Sequence, residues 1–333
     1  MSRPDRNYPL YVGAALSLLI LLLVIFGPAL APRDPLKMET DFMVIGGETL
    51  VPSSRPVPPF RAAIFPLGTD DIGRDLLSRI LWAFRPTMLL CVVIAAVRLA
   101  VGVPLGLIGA WYRGPVERLV ELLISASLSV PLLVVAVAVV SFIGAQRGLI
   151  AFVVGLSLVG WADTAALVRN RALAVAQEPF IESARAVGVR ARDILRRHIL
   201  PQLWPILPAV IAFELAAVTL LVAELGFLGI YIGGGFIYLV QRGDVLDDYR
   251  MMTEKFPELG QMLSAVWARI IKAPWQPAIV GGIVMLIVLA FNLLGEGLRR
   301  QMDITRPRRR SRWVRRRRPS PANADTTTST PRR

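Results

Sequence analysis

The chain has 333 residues, of which 54% are apolar, with a mean hydropathy of +0.55 and a formal net charge of +14. That apolar share exceeds what soluble domains carry, so a membrane protein is the first reading. The lone cysteine, Cys91, excludes an internal disulfide, and with His198 as the sole histidine a zinc cluster or thiol redox site drops out as well.

A helix needs about 20 mainly apolar residues to cross the hydrocarbon core of a bilayer. Six runs meet that length, near 11–31, 87–110, 119–143, 149–168, 204–228 and 277–295, and they predict an all-α integral membrane protein. The first, "YVGAALSLLILLLVIFGPALA", is longer than the apolar core of a secretory signal and lacks a small-x-small cleavage site, so it is expected to be retained. These runs divide the chain into a tail with the first span (1–31), a loop (32–85), a core of five spans (86–299) and a basic tail (300–333).

Within the first loop, "GTDDIGRD" (Gly68 to Asp75) reads as a turn followed by a helix capped by an acid. In the second run Gly102 and Gly106 form a small-xxx-small pair suited to close helix packing. Charges inside spans are costly and usually face a cavity or a partner. Arg98, Asp163, Glu214 and Glu224 are the four candidates, and acids lining a translocation path suit a cationic or amine-bearing solute. Structural placements are open too: Arg98 paired with an acid across the bundle, Asp163 near the inner interface, Glu224 near the outer one.

Orientation follows from Lys and Arg, which favour the cytoplasmic side. Segments 31–85 and 230–275 each balance to zero charge. Segment 169–203 carries seven arginines against Glu178, Glu182 and Asp193, and the chain from Glu296 onward carries thirteen against three acids. Six spans then put both termini and the 169–203 loop in the cytoplasm, with 31–85 and 230–275 outside. Nine arginines between Arg306 and Arg318 suit either anionic lipid headgroups or a solvated, disordered tail.

The cytoplasmic loop contains "EPFIESARAVGVRARDILRRHILP", Glu178 to Pro201. Pro179 suits a first helical turn, and Glu178 and Glu182 put negative charge at that helix's positive end. Gly188 suits a positive-φ cap, and an amphipathic second helix is expected until Pro201. A helix–Gly–helix unit of this kind can fit a partner's groove or lie on the membrane surface, and the physics alone leaves both open.

Glu182-Ser183-Ala184, then Gly188, then Ile199-Leu200-Pro201 resembles the cytoplasmic EAA loop of permease subunits of bacterial ABC importers. Ser183 stands where that family most often has Ala. "PLGTDDIGRDLLSRIL" from Pro66, "APWQPAI" from Ala273 and "VLAFNLLGEGLRRQMD" from Val288 narrow the resemblance to the dipeptide/oligopeptide/nickel branch, the DppC/OppC-like permeases, over about Leu67 to Asp303. The resemblance implies the type I importer fold with a coupling loop at 171–203. It implies Glu182, Ser183, Ala184, Gly188, Leu200 and Pro201 as the ATPase-coupling positions. It also implies a second homologous permease, two ATP-binding subunits carrying ATP and Mg, an extracytoplasmic solute-binding protein, a bacterial inner-membrane location and no catalytic or metal site in this chain. Two features depart from the branch: the loop 230–275 is longer than expected, and Glu224 in "AELGFLGI" replaces a common Ser.

No G-x-x-x-x-G-K-[ST], H-E-x-x-H or G-x-S-x-G occurs, so the chain shows no ATPase or common hydrolase motif of its own. Nothing suggests nucleic acid as a partner. Cargo stays open among peptides, nickel and other small solutes. The competing classes are an ion-coupled secondary transporter, which would need an intramembrane ion site, and, ranked last, a membrane-embedded enzyme.

Overall fold

The computed structural model describes residues 7–45, 47–112, 114–232 and 256–302. The expected basic tail beyond Met302 and most of the long loop, 233–255, lie outside the described residues.

Helix α1 (Tyr8–Leu30) is followed by a small hairpin of β1 (Met43–Ile45) and β2 (Glu48–Leu50), antiparallel with Val44 opposite Thr49. Ile45, Leu50, Val57 and Phe65 form a separate miniature core beneath it. Then come α2 (Leu76–Trp111), α3 (Pro115–Leu128), α4 (Leu132–Ile143) and α5 (Leu149–Ala176). The short helices α6 (Pro179–Ala186), α7 (Ala191–Ile194) and α8 (Leu200–Leu203) lead into α9 (Leu207–Phe227). Two more short helices, α10 (Leu259–Met262) and α11 (Val266–Lys272), precede α12 (Trp275–Met302).

By length and composition, five helical stretches among the described residues can cross a membrane: Tyr8–Leu30, Leu76–Trp111, Leu149–Ala176, Arg192–Phe227 and Trp275–Met302. The sixth expected span, 119–143, is not one straight helix but α3 and α4 bent by 84° at their junction. The cause is local. Pro131 has no N–H to donate and forces Val130 out of helical geometry, while Ser129 turns its hydroxyl back onto the Ala126 carbonyl at 2.7 Å.

The second span also differs, starting at Leu76 rather than near 87. Asp75 caps it by accepting from the Ser78 N–H at 2.9 Å, as an acid there should. With the cap set upstream, Arg79, Arg85 and Pro86 become part of the helix.

The spans approach each other through missing side chains. A Cβ on Gly102 would meet the Trp161 carbonyl at 2.7 Å, and one on Gly106 the Ala165 carbonyl at 2.5 Å, so this pair sets the α2–α5 contact. Gly13 and Gly297 do the same between α1 and α12, where Asn7 Nδ2 donates to the Gly297 carbonyl at 2.7 Å. The main core lies between α2, α5, α9 and α12, with Phe152, Leu156, Ile94 and Val218 fully buried.

At the end of α9, Gly226 touches Gly260 of α10, and a Cβ there would be driven into the Gly260 carbonyl. Both partners are backbone, so neither can rotate away. Gly226→Ala is expected to cost about 1–3 kcal/mol, read as a lower unfolding temperature of the detergent-purified chain. An unchanged midpoint would show that the α9–α10 contact is looser than described.

Candidate functional site

The interhelical loop. Glu178 is the N-cap of α6 and Pro179 its first residue, where a missing N–H costs nothing. At the other end Gly188 has φ +83°, its N–H donates to Arg185 O at 3.0 Å, and Val189 N–H donates to Ala184 O at 3.1 Å. Those two bonds are a Schellman cap, which needs a left-handed residue where glycine stands. The expected second helix does not stop at Pro201. A π-turn over Leu195–Ile199, α8 and a 3₁₀ turn at Trp204–Ile206 carry the chain helically into α9. Pro201, Pro205 and Pro208 each fall in the opening positions of a new turn, so the ladder changes register instead of breaking.

One face of this unit is fixed to the spans. Ile181, Ile194, Ile199 and Leu203 form a buried cluster with Ala110 of α2 and Val168, Ala172 and Val175 of α5, and Ala184 packs against it. The Arg185 guanidinium lies 5.2 Å over the Trp111 ring, and Phe180 stacks with His198 at 6.5 Å. The opposite face is free: Glu182, Ser183, Gly188 and Pro201 are exposed, with Leu200 half-buried. Ser183 donates to the Pro179 carbonyl at 3.0 Å, and Glu182 forms no ion pair among the described residues. The loop is therefore a rigid projection with an open carboxylate.

The four charges inside the spans separate into two kinds. Arg98, 1% exposed, donates through Nε and Nη2 to the Leu156 carbonyl at 3.0 and 2.6 Å and through Nη1 to Glu214 Oε2 at 3.3 Å. Thr164 Oγ1 donates to the other oxygen of Glu214, which is 7% exposed. Gly160 makes this possible, because a Cβ there would collide with the Arg98 guanidinium. The pair thus joins α2, α5 and α9 internally. By contrast, Asp163 is exposed on α5 and Glu224 half-buried on α9.

At the end of the bundle away from the α6 loop, segments far apart in sequence lock together. Trp275 Nε1 donates to the Thr69 carbonyl at 2.9 Å, Asp71 N–H to Gln276 Oε1 at 3.4 Å, and Arg269 pairs with Asp71 at 3.4 Å. Arg269 also donates to the carbonyls of Gln261 at 3.0 Å and Met262 at 3.2 Å. Beside them Asp70 is buried. Burial opposes its ionisation, but Arg79, then Arg74, with the Arg74 N–H bonds, hold its carboxyl below the usual range.

Glu258, 1% exposed, caps α10. Burial pushes its carboxyl up from 4.5 to about 7, against bonds from the N–H groups of Ile232, Gln261 and Gly260. The folded chain holds this proton more tightly than the unfolded one, so the stabilisation is complete below 4.5 and is lost as pH rises through about 7. The unfolding midpoint is expected to fall between pH 5 and pH 8, and Glu258→Gln should remove that part of the slope. Equal slopes in both proteins would contradict this assignment.

Residues 102–303 match the family described as binding-protein-dependent transport system inner membrane component. The chain belongs to that family. Among curated relatives, the dipeptide transport system permease protein DppC of Alkalihalophilus pseudofirmus is 31% identical over 90% of this chain and 86% of that protein. DppC of Haemophilus influenzae is 28% identical over 90% and 91%, and the glutathione transport system permease GsiD of Pectobacterium atrosepticum is 30% identical over 71% of each. A solved structure of the MetNI methionine ABC transporter in inward facing conformations aligns with 67% of this chain and 96% of its own, at 18% identity and a TM-score of 0.50, which supports the fold. The chain is thus a DppC-like permease subunit of an ABC importer.

In this permease the sequence pattern pointed to the positions of the α6 loop and to all four intramembrane charges. It did not pair Arg98 with Glu214 through Thr164 and Gly160, because contacts between residues 58 and 116 positions apart leave no periodic signal. Separation in sequence likewise hides that "PLGTDDIGRDLLSRIL" and "APWQPAI" are one interlock, joined through Thr69, Asp71, Trp275 and Gln276.

Proposed function

We propose that this permease is one half of the transmembrane path of an ATP-driven importer of di- or oligopeptides. It would work with a second homologous permease, two ATP-binding subunits that carry ATP and Mg, and an extracytoplasmic solute-binding protein. The observation that carries the peptide assignment is the match over 90% of the chain to a dipeptide permease, with a glutathione permease, whose cargo is also a small peptide, among the relatives. The balance of arginines supports a cytoplasmic position for the α6 loop and both termini.

The α6 loop is the coupling element in this reading. Glu182, Ser183 and Gly188 meet the ATPase, Ala184 seats α6 against the spans behind them, and Leu200 and Pro201 carry the movement into α9. Its buried face is continuous with α2 and α5, so a push on α6 moves those helices rather than bending the loop. ATP can shift the inward and outward states only by binding one assembly better than the other. The translocation path runs along the open faces of the spans, with Asp163 and Glu224 as its acidic positions, while Arg98 and Glu214 hold the wall together from inside. Cells lacking this chain should lose uptake of a labelled dipeptide and regain it when the chain is restored. Undiminished dipeptide uptake alongside the loss of another solute would refute the peptide assignment.

A further inference from the structure

Helix α5 carries a polar row that its own subunit does not cover. Taking about 20 residues from Leu149 as the hydrocarbon segment, the inner boundary falls near Val168, and Asp163 sits five residues, about 8 Å, inside it. An aspartate side chain is too short to bridge that depth. At about 100° per residue Asp163 stands nearly opposite Trp161 and Ala165, whose backbone carbonyls pack against Gly102 and Gly106 of α2. Asn170 and Gln177 follow at seven-residue steps, which drift only about 20° each. All three are exposed. Nearer the other end of α5, Gly155 and Phe152 are covered, with Ala136 and Val140 of α4 packed there, so the open row begins where α4 ends.

The junction between α3 and α4, midway along the apolar run 119–143, is a second feature that needs shelter from lipid. Ser129, Val130 and Pro131 are exposed, and the break leaves backbone groups outside any helix. Irregular backbone at membrane depth is tolerated where it lines a cavity or is buried in protein, not against lipid. A carboxylate inside the hydrocarbon boundary obeys the same restriction.

We infer that Asp163, Asn170 and Gln177 form a water-filled exit track on α5, running from inside the membrane to the start of the coupling loop, with Asp163 as the subsite for the cationic group of the cargo. This rests on the importer reading above and sharpens it: the cargo presents an ammonium group, as a peptide N-terminus does, to a fixed acid on its way to the cytoplasm. Asn170 and Gln177 offer neutral donors and acceptors below it, so the charge is held at one place and released past the other two.

The test uses the whole reconstituted importer with Cys91→Ser as background, since Cys91 is buried and the only cysteine. Single cysteines at Asp163, at Asn170 and at Met285, an exposed apolar position of α12 chosen as the control outside the row, are treated with membrane-impermeant thiol reagents of either charge. The first two sites should react at least tenfold faster than the Met285→Cys control. Asn170→Cys should favour the cationic reagent several-fold, and adding Asp163→Asn should abolish that preference. Asp163→Asn alone should lower uptake of a free-amine dipeptide about tenfold. Absence of labelling at 163 and 170, as lipid or a packed partner subunit would give, overturns the track. Labelling without charge preference, or unchanged uptake in Asp163→Asn, overturns the subsite. Failure of the unmodified importer to move any peptide would instead count against the importer reading, and the labelling pattern is read independently of it.

Discussion

Gly188→Val is expected to abolish ATP-driven uptake while leaving the spans folded. Gly188 holds φ +83° with nothing within 4 Å of where a Cβ would stand, so the substitution acts on backbone conformation, not on packing. A left-handed conformation costs an L-residue about 1–2 kcal/mol, and a branched side chain adds to that. The Schellman bonds from Gly188 and Val189 would give way, and α6 would lose its fixed angle to α7. Glu182→Ala separates docking from folding. That residue is exposed and forms no ion pair among the described residues, so its removal should change stability by no more than about 0.5 kcal/mol. It should nevertheless weaken co-purification of the ATPase and lower uptake. Far-UV circular dichroism of both variants should match the parent protein, and normal uptake in both would remove the coupling role from this loop.

The largest stability effect is expected at the internal ion pair. Arg98→Met leaves Glu214 buried with Thr164 as its remaining partner, and breaking a buried pair from one side costs about 3–5 kcal/mol. Glu214→Met strands Arg98 on the Leu156 carbonyl in the same way. The double substitution removes both charges and should return most of the lost stability, because apolar side chains of similar volume often replace a buried pair without loss. A double-mutant cycle on the unfolding midpoint of the purified chain measures the coupling. Additive single effects would mean that the two side chains do not meet, and an uptake defect specific to one solute in the fully stable double mutant would give the pair a role in the path.

How much of this was legible in the sequence depended on the distance over which each feature acts. Helices long enough to span a membrane follow from composition, because the backbone of such a helix satisfies its own hydrogen bonds and needs no distant partner. The cap at Asp75 and the turn at Gly188 were equally readable, since each is decided within a few residues. Expectation failed where a local signal met tertiary accommodation. The second apolar run reads as starting near 87 yet its helix begins at Leu76 with Pro86 inside it, and Pro201 reads as a stop yet the helix continues past it after a π-turn. At Pro131 the apolar run concealed a real break, because hydropathy does not register a missing N–H. Among the charges, Arg98, Asp163, Glu214 and Glu224 were visible as misplaced polar groups. Their division into a buried tie and two open acids was not, since it depends on Gly160 making room and on which side of α5 its neighbours cover.

In the function proposed above, this chain forms a path driven by an ATPase acting on the α6 loop. The most direct measurement is uptake of a labelled dipeptide into proteoliposomes holding the permease pair, with and without the ATP-binding subunits, in the presence of the binding protein and Mg-ATP. Concentrative uptake is predicted only with the ATPases present and ATP supplied, and it should vanish in Gly188→Val. Uptake against a gradient by the permease pair without any ATPase, or undiminished uptake in Gly188→Val, would rule out an ATPase acting through the α6 loop.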